Sequence, residues 1–182
     1  MKFDALSIPD VVLITPRIFG DSRGFFTESW NQQVFSDAGI DFNFVQDNHS
    51  RSQQNVLRGL HYQIQKPQGK LVRVIHGTVF DVAVDLRQSS QHFGKWTGAI
   101  LSDENKQMLW IPPGFAHGFY VLTESVDFIY KTTEFYYPKL ERCVIWNDPD
   151  IAINWPIPKN ISPLLASKDS VGLTLSSCEV FP

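Results

Sequence analysis

The chain has 182 residues, a formal net charge of −3, 43% hydrophobic residues and 19% charged residues. This length suits one domain with a sizeable core, and this composition is typical of a globular protein and not of a disordered one. The acidic balance argues against a nucleic-acid partner, which usually needs a basic excess, although a local group of cations can still hold a small anion. We therefore expect one domain over residues 1–182.

The sequence also bears on compartment and redox chemistry. Its N-terminal segment, MKFDALSIPD, lacks a basic stretch followed by an apolar one, and no apolar run approaches the length of a membrane span. We expect a cytoplasmic protein with no membrane partner. Cys143 and Cys178 have no metal-ligand spacing and predict no disulfide framework.

The first predicted element is a strand over residues 5–19. Pro9 and Pro16 interrupt it, at positions that suit strand edges. Residues 21–26 (DSRGFF) then predict a turn that leads into an aromatic strand. The N-terminal part of the chain therefore begins as β structure.

A short helix follows this strand. Ser29 and Gln32 have the spacing of a capping box, which marks a helix N-terminus. The apolar residues between Trp30 and Ala38 recur at helical spacing, and Gly39 suits the position just after a helix. We expect the apolar face of this helix to pack on the core.

From residue 42 to about residue 137 the apolar residues alternate with a period of two, which predicts strands. Gly77, between two of these strands, suits a tight connection that needs a positive φ. The predicted strands cover residues 44–50, 56–63, 70–75, 79–86, 95–101, 108–111, 117–122 and 126–131. So many short strands indicate an antiparallel sandwich or barrel, and the proline-rich segment after residue 150 is expected to wrap it as loops and short turns.

The stretch from residue 57 to residue 87 places ionisable side chains inside three predicted strands. They are Arg58, His61, Lys70, Asp81 and Asp85. Strands normally bury apolar side chains, so these residues indicate either a wet cleft inside the β structure or a set of surface charges. Strict alternation puts Arg58 and His61 on opposite faces of one strand, and a bulge at Gly59 is one way to bring them together.

The segment WIPPGFAHG (residues 110–118) contains Pro112, Gly114 and His117 in a P-x-G-x-x-H pattern. This pattern resembles the second motif of the cupin superfamily of small β-barrels, in which the histidine often binds a metal. The matching first motif would be H-x-H followed by a glutamate, but here it reads His61-Tyr62-Gln63. Two histidines without a carboxylate make a poor divalent metal site, so we expect no metal.

Acid–base chemistry is the other use for these histidines, because imidazole titrates near neutral pH. His61 and His117 lie beside glycines in strands rich in polar groups, whereas His49, His76 and His92 fit surface or structural roles. Tyr130 lies on an alternating strand, where a packed aromatic is more usual than a general acid. Spacing alone leaves both roles of Tyr130 open.

Several segments together resemble the dTDP-4-dehydrorhamnose 3,5-epimerases of nucleotide-sugar biosynthesis, over about residues 3–170. The matching segments are DSRGFFTE (21–28), QDNHS (46–50), LRGLHYQ (57–63), QGKLVRV (68–74), VFDVAVD (79–85), IPPGFAHG (111–118), YKTT (130–133), ER (141–142), WNDP (146–149) and SKD (167–169). The resemblance implies an all-β fold: a cupin-type jelly roll, or double-stranded β-helix barrel, with one short N-terminal helix and short C-terminal helices or loops.

The resemblance also implies an activity. Such enzymes are metal-free homodimers that convert dTDP-4-dehydro-6-deoxy-D-glucose to dTDP-4-dehydro-L-rhamnose without a cofactor, and their N-terminal strands cross to the partner subunit. It implies that His61 is the base, Tyr130 the acid, Asp169 the residue that orients His61, and Lys70 the cation that stabilises the enolate oxygen. The implied substrate-binding residues are Arg23, Glu28, Gln46, Asn48, Arg58, Asp81, His117, Tyr136, Glu141 and Lys168. Arg23 and Glu28 are expected to serve the neighbouring subunit's site.

Three alternatives stay open. Relatives with this framework epimerise C3 or C5 alone, or act as ketoisomerases in other dTDP-deoxysugar pathways. A metal-dependent cupin is the second alternative. A sugar-binding cupin without activity is the third, and it would have no need of both an acid and a base.

Overall fold

A computed structural model describes residues 1–182 as a β structure with two short helices. The helices are α1 (Gln32–Asp37) and α2 (Ser167–Ser170), and a 3-10 turn covers Pro138–Leu140. The strands are β1 (Lys2–Ala5), β2 (Val12–Thr15), β3 (Ile18–Asp21), β4 (Gly24–Thr27), β5 (Gln46–Gln53), β6 (Leu57–Gln63), β7 (Lys70–His76), β8 (Thr78–Asp85), β9 (Trp96–Ser102), β10 (Met108–Ile111), β11 (Phe115–Val121), β12 (Ser125–Thr132) and β13 (Glu141–Cys143).

Two antiparallel sheets form the body of the fold. One has six strands in the order β1-β2-β10-β7-β12-β5, and the other has five in the order β13-β6-β11-β8-β9. The main core lies between them, where Val72 and Phe128 of the first sheet join Ala83, Phe115 and others of the second. The predicted all-β jelly roll is confirmed.

Each sheet also buries part of its outer face. Phe35 of α1 packs with Leu71, Met108 and Trp110 on the outside of the six-stranded sheet. The C-terminal segment covers the outside of the five-stranded sheet, where Leu60 and other strand residues meet it. This covering explains why every residue of β10 and β11 is buried, on both faces of the strand.

The N-terminal predictions need two corrections. The single strand predicted over residues 5–19 is three strands, β1, β2 and β3, because the chain reverses between β1 and β2, which pair antiparallel. The helix N-cap is Asn31 and not Ser29: the Asn31 side chain accepts hydrogen bonds from the backbone N–H groups of Gln33 and Val34. An N-cap amide oxygen serves the same end as the predicted serine hydroxyl.

The eight strands predicted between residues 44 and 131 are all present, with ends that shift by up to three residues. Gly77 has φ +79 and connects β7 to β8, as predicted. The predicted strands do not include β13, a three-residue strand that pairs with β6. So short a strand has too few residues to show alternation.

A bulge interrupts β6 at Gly59. On β11, His117 and Phe119 are two residues apart, but their partners on β6, His61 and Arg58, are three apart. The extra residue reverses the alternation, so Arg58 and His61 both reach the cavity described below. The bulge hypothesis is confirmed.

The hairpin of β3 and β4 pairs only with itself. Its aromatic side chains are largely exposed, 50% for Phe19, 60% for Phe25 and 69% for Phe26. Apolar side chains exposed together in this way mark an interaction surface. Neither α1 nor α2 has the length and apolar character needed to cross a membrane.

Candidate active site

A cavity of about 270 Å³ opens between the two sheets. Ten of the fourteen predicted site residues line it: Asn48, Arg58, His61, Lys70, His117, Tyr130, Tyr136, Glu141, Lys168 and Asp169. They come from both sheets, from the segment after β12 and from α2. Residues far apart in the sequence therefore meet in one polar pocket.

His61 of β6 and Asp169 of α2 form a close pair. His61 Nε2 lies 2.6 Å from Asp169 Oδ1, and the Asp169 side chain is almost fully buried. The other ring nitrogen, Nδ1, is shielded from water, has no hydrogen-bond partner and lies 3.7 Å from Glu141 Oε1. With Nε2–H donated to the carboxylate, the lone pair of Nδ1 is free to accept a proton.

Asp169 stays ionised in spite of its burial. Burial alone would raise the pKa of this carboxyl, but the hydrogen bonds that it accepts outweigh that effect and lower the pKa. The donors are His61 Nε2 and the backbone N–H groups of Gly59 and Ala166. An ionised Asp169 can only accept, which fixes the His61 tautomer.

Lys70, the first residue of β7, is 8% exposed. Its Nζ donates to the backbone carbonyl of His61 at 3.3 Å, which is its one hydrogen bond to the protein. Burial lowers the pKa of Lys70 to about 8, although the charges of Asp81 and Glu141 work in the opposite direction. The ammonium group is therefore still charged at neutral pH and free to bind an anionic oxygen.

His117 and Asp81 form a second buried pair. His117 Nε2 and Asp81 Oδ2 share a hydrogen bond of 2.9 Å. Burial lowers the pKa of His117 and raises that of Asp81, so both groups resist taking a charge. Asp81 is not among the residues that line the cavity and holds His117 from behind.

Tyr130 faces the cavity from β12 in the six-stranded sheet, whereas His61 belongs to the five-stranded sheet. The Tyr130 ring also packs against the main core, so both roles left open for it are compatible with its place. Burial raises the pKa of Tyr130, which keeps its hydroxyl protonated. The His61 imidazole and the Tyr130 hydroxyl therefore line the cavity from different sheets.

Cations and polar groups surround the cavity entrance. Arg58 Nε donates to Ser52 Oγ at 3.0 Å, and its two terminal nitrogens make no hydrogen bond within the protein. Glu141 accepts from Lys168 Nζ at 2.9 Å and from the Tyr136 hydroxyl at 3.0 Å. Lys168 and Arg58 therefore leave donors for an anion, as bidentate binding of a phosphate requires.

Gln46 lies just behind this entrance. Its Nε2 donates to Asn48 Oδ1 at 2.9 Å, and its Oε1 accepts from the backbone N–H of Tyr136 at 3.1 Å. Gln46 is not among the residues that line the cavity, but it touches two that are. Gln46 therefore holds Asn48 and the backbone of Tyr136 in position.

Arg23 and Glu28 lie outside the cavity of their own chain. Arg23 forms an exposed ion pair with Asp21, 2.6 Å long, in the turn between β3 and β4. Glu28 follows β4 and accepts a hydrogen bond from Asn31. Within one chain these two residues contact none of the other predicted site residues.

Sequence reasoning missed several residues at the site. Phe119 and Phe128 stack with ring centroids 4.3 Å apart and line the cavity, but their apolar alternation looks like that of any core strand. Ser52 holds Arg58, and no motif marks it. The face alternation of β5, which places Asn48, Ser50 and Ser52 on one side, was the one available signal.

His61, Cys143 and Asp169 bring three atoms of metal-ligand type within 4.8 Å of one another. Burial raises the pKa of the Cys143 thiol to about 12, whereas a metal ion binds the thiolate. His61 Nε2 and Asp169 Oδ1 are hydrogen-bonded to each other. This set therefore fits a hydrogen-bonded acid–base pair better than a metal site.

Comparison with known proteins agrees with this geometry. A family model described as dTDP-4-dehydrorhamnose 3,5-epimerase matches residues 5–177. The dTDP-4-dehydrorhamnose 3,5-epimerase of Pseudomonas aeruginosa is 57% identical over 183 residues, which cover 100% of both chains.

Solved structures give the same result. The dTDP-6-deoxy-D-glucose-3,5-epimerase of Legionella pneumophila, in complex with dTDP-4-keto-L-rhamnose, superposes with a TM-score of 0.94 at 49% identity, covering 98% of this chain and 94% of that one. A 3′-monoepimerase of Streptomyces bikiniensis, in complex with dTDP-quinovose, gives 0.88 at 33% identity, covering 94% and 87%. The chain therefore belongs to the dTDP-4-dehydrorhamnose 3,5-epimerase family.

Proposed function

We propose that this protein epimerises dTDP-4-dehydro-6-deoxy-D-glucose at C3 and C5 and so makes dTDP-4-dehydro-L-rhamnose. The observation that carries the proposal is the His61–Asp169 pair, whose unpartnered Nδ1 lies across the cavity from the sheet that presents Tyr130. Family membership and the dTDP-sugar bound to the Legionella relative support the choice of substrate. Residues 1–182 are proposed to act as one epimerase domain.

His61 takes the proton in this proposal. C3 and C5 of the substrate both flank the C4 ketone, so loss of a proton from either carbon gives an enolate. His61 Nδ1 accepts that proton, and ionised Asp169 stabilises the imidazolium that results. The ketone itself takes up the electron pair, so no step needs a cofactor.

Lys70 and Tyr130 complete the cycle. The Lys70 ammonium is proposed to bind the O4 oxygen as negative charge develops there, the kind of interaction that often makes a large contribution to catalysis. Tyr130 then returns a proton to the opposite face of the carbon, and its raised pKa keeps that proton available. Water then takes the proton from the His61 imidazolium and supplies one to the Tyr130 tyrosinate, which restores both groups. His117, held by Asp81, is proposed to hydrogen-bond the sugar.

The entrance is proposed to bind the nucleotide. The free terminal nitrogens of Arg58, together with Lys168, suit the diphosphate. Tyr136 is proposed to stack on the thymine, with Glu141 holding its hydroxyl. Asn48 is proposed to contact the nucleotide as well, with Gln46 holding Asn48 and the backbone of Tyr136.

We further propose a homodimer in which the β3–β4 hairpin crosses to the partner subunit. Three exposed aromatic residues support this, because the hairpin pairs with no other strand of its own chain and leaves these rings largely open to solvent. The crossing would carry Arg23 and Glu28 into the partner's cavity, which would explain why they lie outside the cavity of their own chain.

We also propose a cytoplasmic location, which fractionation of cells that express the full chain would test.

Proton NMR in deuterium oxide tests the activity. With the dTDP-4-keto-6-deoxy sugar as substrate, we expect deuterium to enter at both C3 and C5, and exchange at one carbon only would contradict the proposal.

His61→Ala should abolish exchange and leave the Kd for dTDP nearly unchanged, because the base acts in the chemical step. Tyr130→Phe should impair epimerisation more than exchange, since exchange needs only the base.

Single-centre epimerisation is the second candidate function. The similarity to a 3′-monoepimerase at a TM-score of 0.88 favours it as the alternative, because the same fold hosts both reactions. The NMR experiment separates the two, since the second candidate predicts exchange at one carbon.

For the metal-dependent alternative, bound metal in stoichiometric amount together with chelator-sensitive activity would overturn the proposed mechanism.

A further inference from the structure

The residues between β12 and the 3-10 turn, 133–137, form an irregular segment beside the cavity. This segment presents Tyr136, which lines the cavity and is 46% exposed. Its backbone has no neighbouring strand to hydrogen-bond at residues 134–137. An irregular segment normally leaves such groups to water and is mobile for that reason.

Three glutamine side chains take the place of a neighbouring strand. Gln68 Nε2 donates to the carbonyl of Glu134 at 2.9 Å, and Gln63 Nε2 donates to that of Phe135 at 3.2 Å. The backbone N–H of Tyr136 donates to Gln46 Oε1 at 3.1 Å, and that of Tyr137 donates to Gln63 Oε1 at 2.6 Å. Four consecutive residues are thus each held by a glutamine amide.

Gln63 is the central member of this set. It is 2% exposed, and its Nε2 also donates to the carbonyl of Lys66 at 2.9 Å, so it joins the segment to the loop that precedes β7. It belongs to β6, two residues after His61, and its Cα partner on β13 is Glu141. Gln63 therefore links the strand of the proposed base to the segment that carries Tyr136.

We infer that Gln63 is a positioning residue for nucleotide binding. It holds Tyr136 in the orientation in which the Tyr136 ring stacks on the thymine. This inference rests on the proposed role of Tyr136. Fixing one backbone residue costs conformational entropy. The hydrogen bonds of Gln63 order the segment when the protein folds. Part of this entropy is therefore already lost before the nucleotide binds, and the affinity is higher for that reason.

The test compares Gln63→Met with the unaltered protein. Methionine fills a similar volume but makes neither the donor nor the acceptor contacts. We expect the Kd for dTDP, measured by calorimetry, and the KM for the dTDP-sugar to rise about tenfold or more, the factor that 1.4 kcal/mol gives. The kcat should stay within about twofold, because His61 and Lys70 make their hydrogen bonds outside the segment, and Tyr130 makes none to it.

Gln54→Met is the matched control. Gln54 also donates its amide to a backbone carbonyl, that of Leu122, but it does not line the cavity. We expect its Kd and KM to equal those of the unaltered protein. If Gln63→Met does not fold, Gln68→Met removes only the bond to Glu134, and a smaller rise in Kd is expected. An unchanged Kd in whichever of these two variants folds would overturn the inference.

A double-mutant cycle with Tyr136→Ala separates positioning from general destabilisation. If Gln63 acts through Tyr136, adding Gln63→Met to Tyr136→Ala should raise the Kd for dTDP little further. Additive effects would overturn the inference and leave the role of Tyr136 standing. An unchanged Kd in Tyr136→Ala alone would instead contradict the proposed stacking, and that result is distinct from a failure of Gln63.

Discussion

Lys70 combines two opposed requirements at one residue. Its proposed role needs a positive charge, whereas its burial disfavours that charge and lowers its pKa to about 8. Raising the pH through 8 removes the proton and with it the positive charge that is proposed to stabilise the enolate oxygen. We therefore expect kcat/KM to fall above pH 8, by about tenfold for each pH unit.

A pH–rate profile of the unaltered protein and of Lys70→Arg checks this expectation. Arginine keeps its charge at any pH at which the protein is folded, so the variant should lose the decline near pH 8 even if its rate is lower throughout. A decline that persists in Lys70→Arg would assign it to another group.

The same burial predicts a gain in stability on removal of the charge. The pKa of Lys70 is 10.5 in the unfolded chain and about 8 in the folded protein, so the unfolded state binds the proton more tightly. The cost to folding is full below pH 8 and disappears as the pH rises towards 10.5. Lys70→Met should raise the free energy of unfolding at pH 6 by up to about 3 kcal/mol while abolishing turnover. Urea denaturation of the variant and of the unaltered protein at pH 6 and at pH 10 measures the gain in free energy of unfolding. Equal gains at the two pH values would contradict a cost of burying the Lys70 charge.

At the scale of the element, the bulge in β6 decides which side chains reach the cavity. A Cβ at Gly59 would lie 2.5 Å from the Cα of Gly118, and the φ of Gly59 is +134. No side chain fits there without movement of β6 away from β11. The bulge therefore depends on both glycines.

We expect Gly59→Ala to destabilise the protein by roughly 3 kcal/mol or more, from backbone strain and overpacking together. Any folded fraction should be inactive, because Arg58 and His61 would no longer share the cavity. Urea denaturation and an activity assay measure these effects. Gly20→Ala is the control, since the nearest atom to its Cβ would be 3.7 Å away and little loss is expected. Normal stability of Gly59→Ala would show that the bulge does not need glycine.

The elements also show how far the sequence alone reaches. Alternation of apolar residues predicted the eight central strands, and a glycine between Arg58 and His61 indicated the bulge, because both signals are local. The predicted N-cap of α1 was Ser29, whereas the N-cap in the structure is Asn31. Serine and asparagine are both good N-caps, so residue type alone does not decide between them. The approach of Asp169 to His61, 108 residues away, was implied only by family resemblance, because spacing says nothing about so distant a contact.

At the scale of the whole molecule, the β3–β4 hairpin should decide the oligomeric state. If the hairpin crosses to a partner, Phe25→Ser combined with Phe26→Ser should give monomers, because exchanged aromatic side chains would contribute much of the buried interface. Light scattering on purified protein measures the mass. Val171→Ser is the control, since Val171 is 74% exposed but lies outside the hairpin. A dimer that survives the double substitution would contradict hairpin exchange.

The position of α2 in the sequence has a consequence for the kinetics of folding. Asp169 and Lys168 complete the cavity from the last fifteen residues of the chain, while their partners His61 and Glu141 lie 108 and 27 residues earlier. Contacts between distant residues form slowly, because the loops between them must close first. We therefore expect the His61–Asp169 contact to form late in folding, after most strands have paired. Recovery of activity during refolding is then a measure of complete folding, later than the recovery of strand structure.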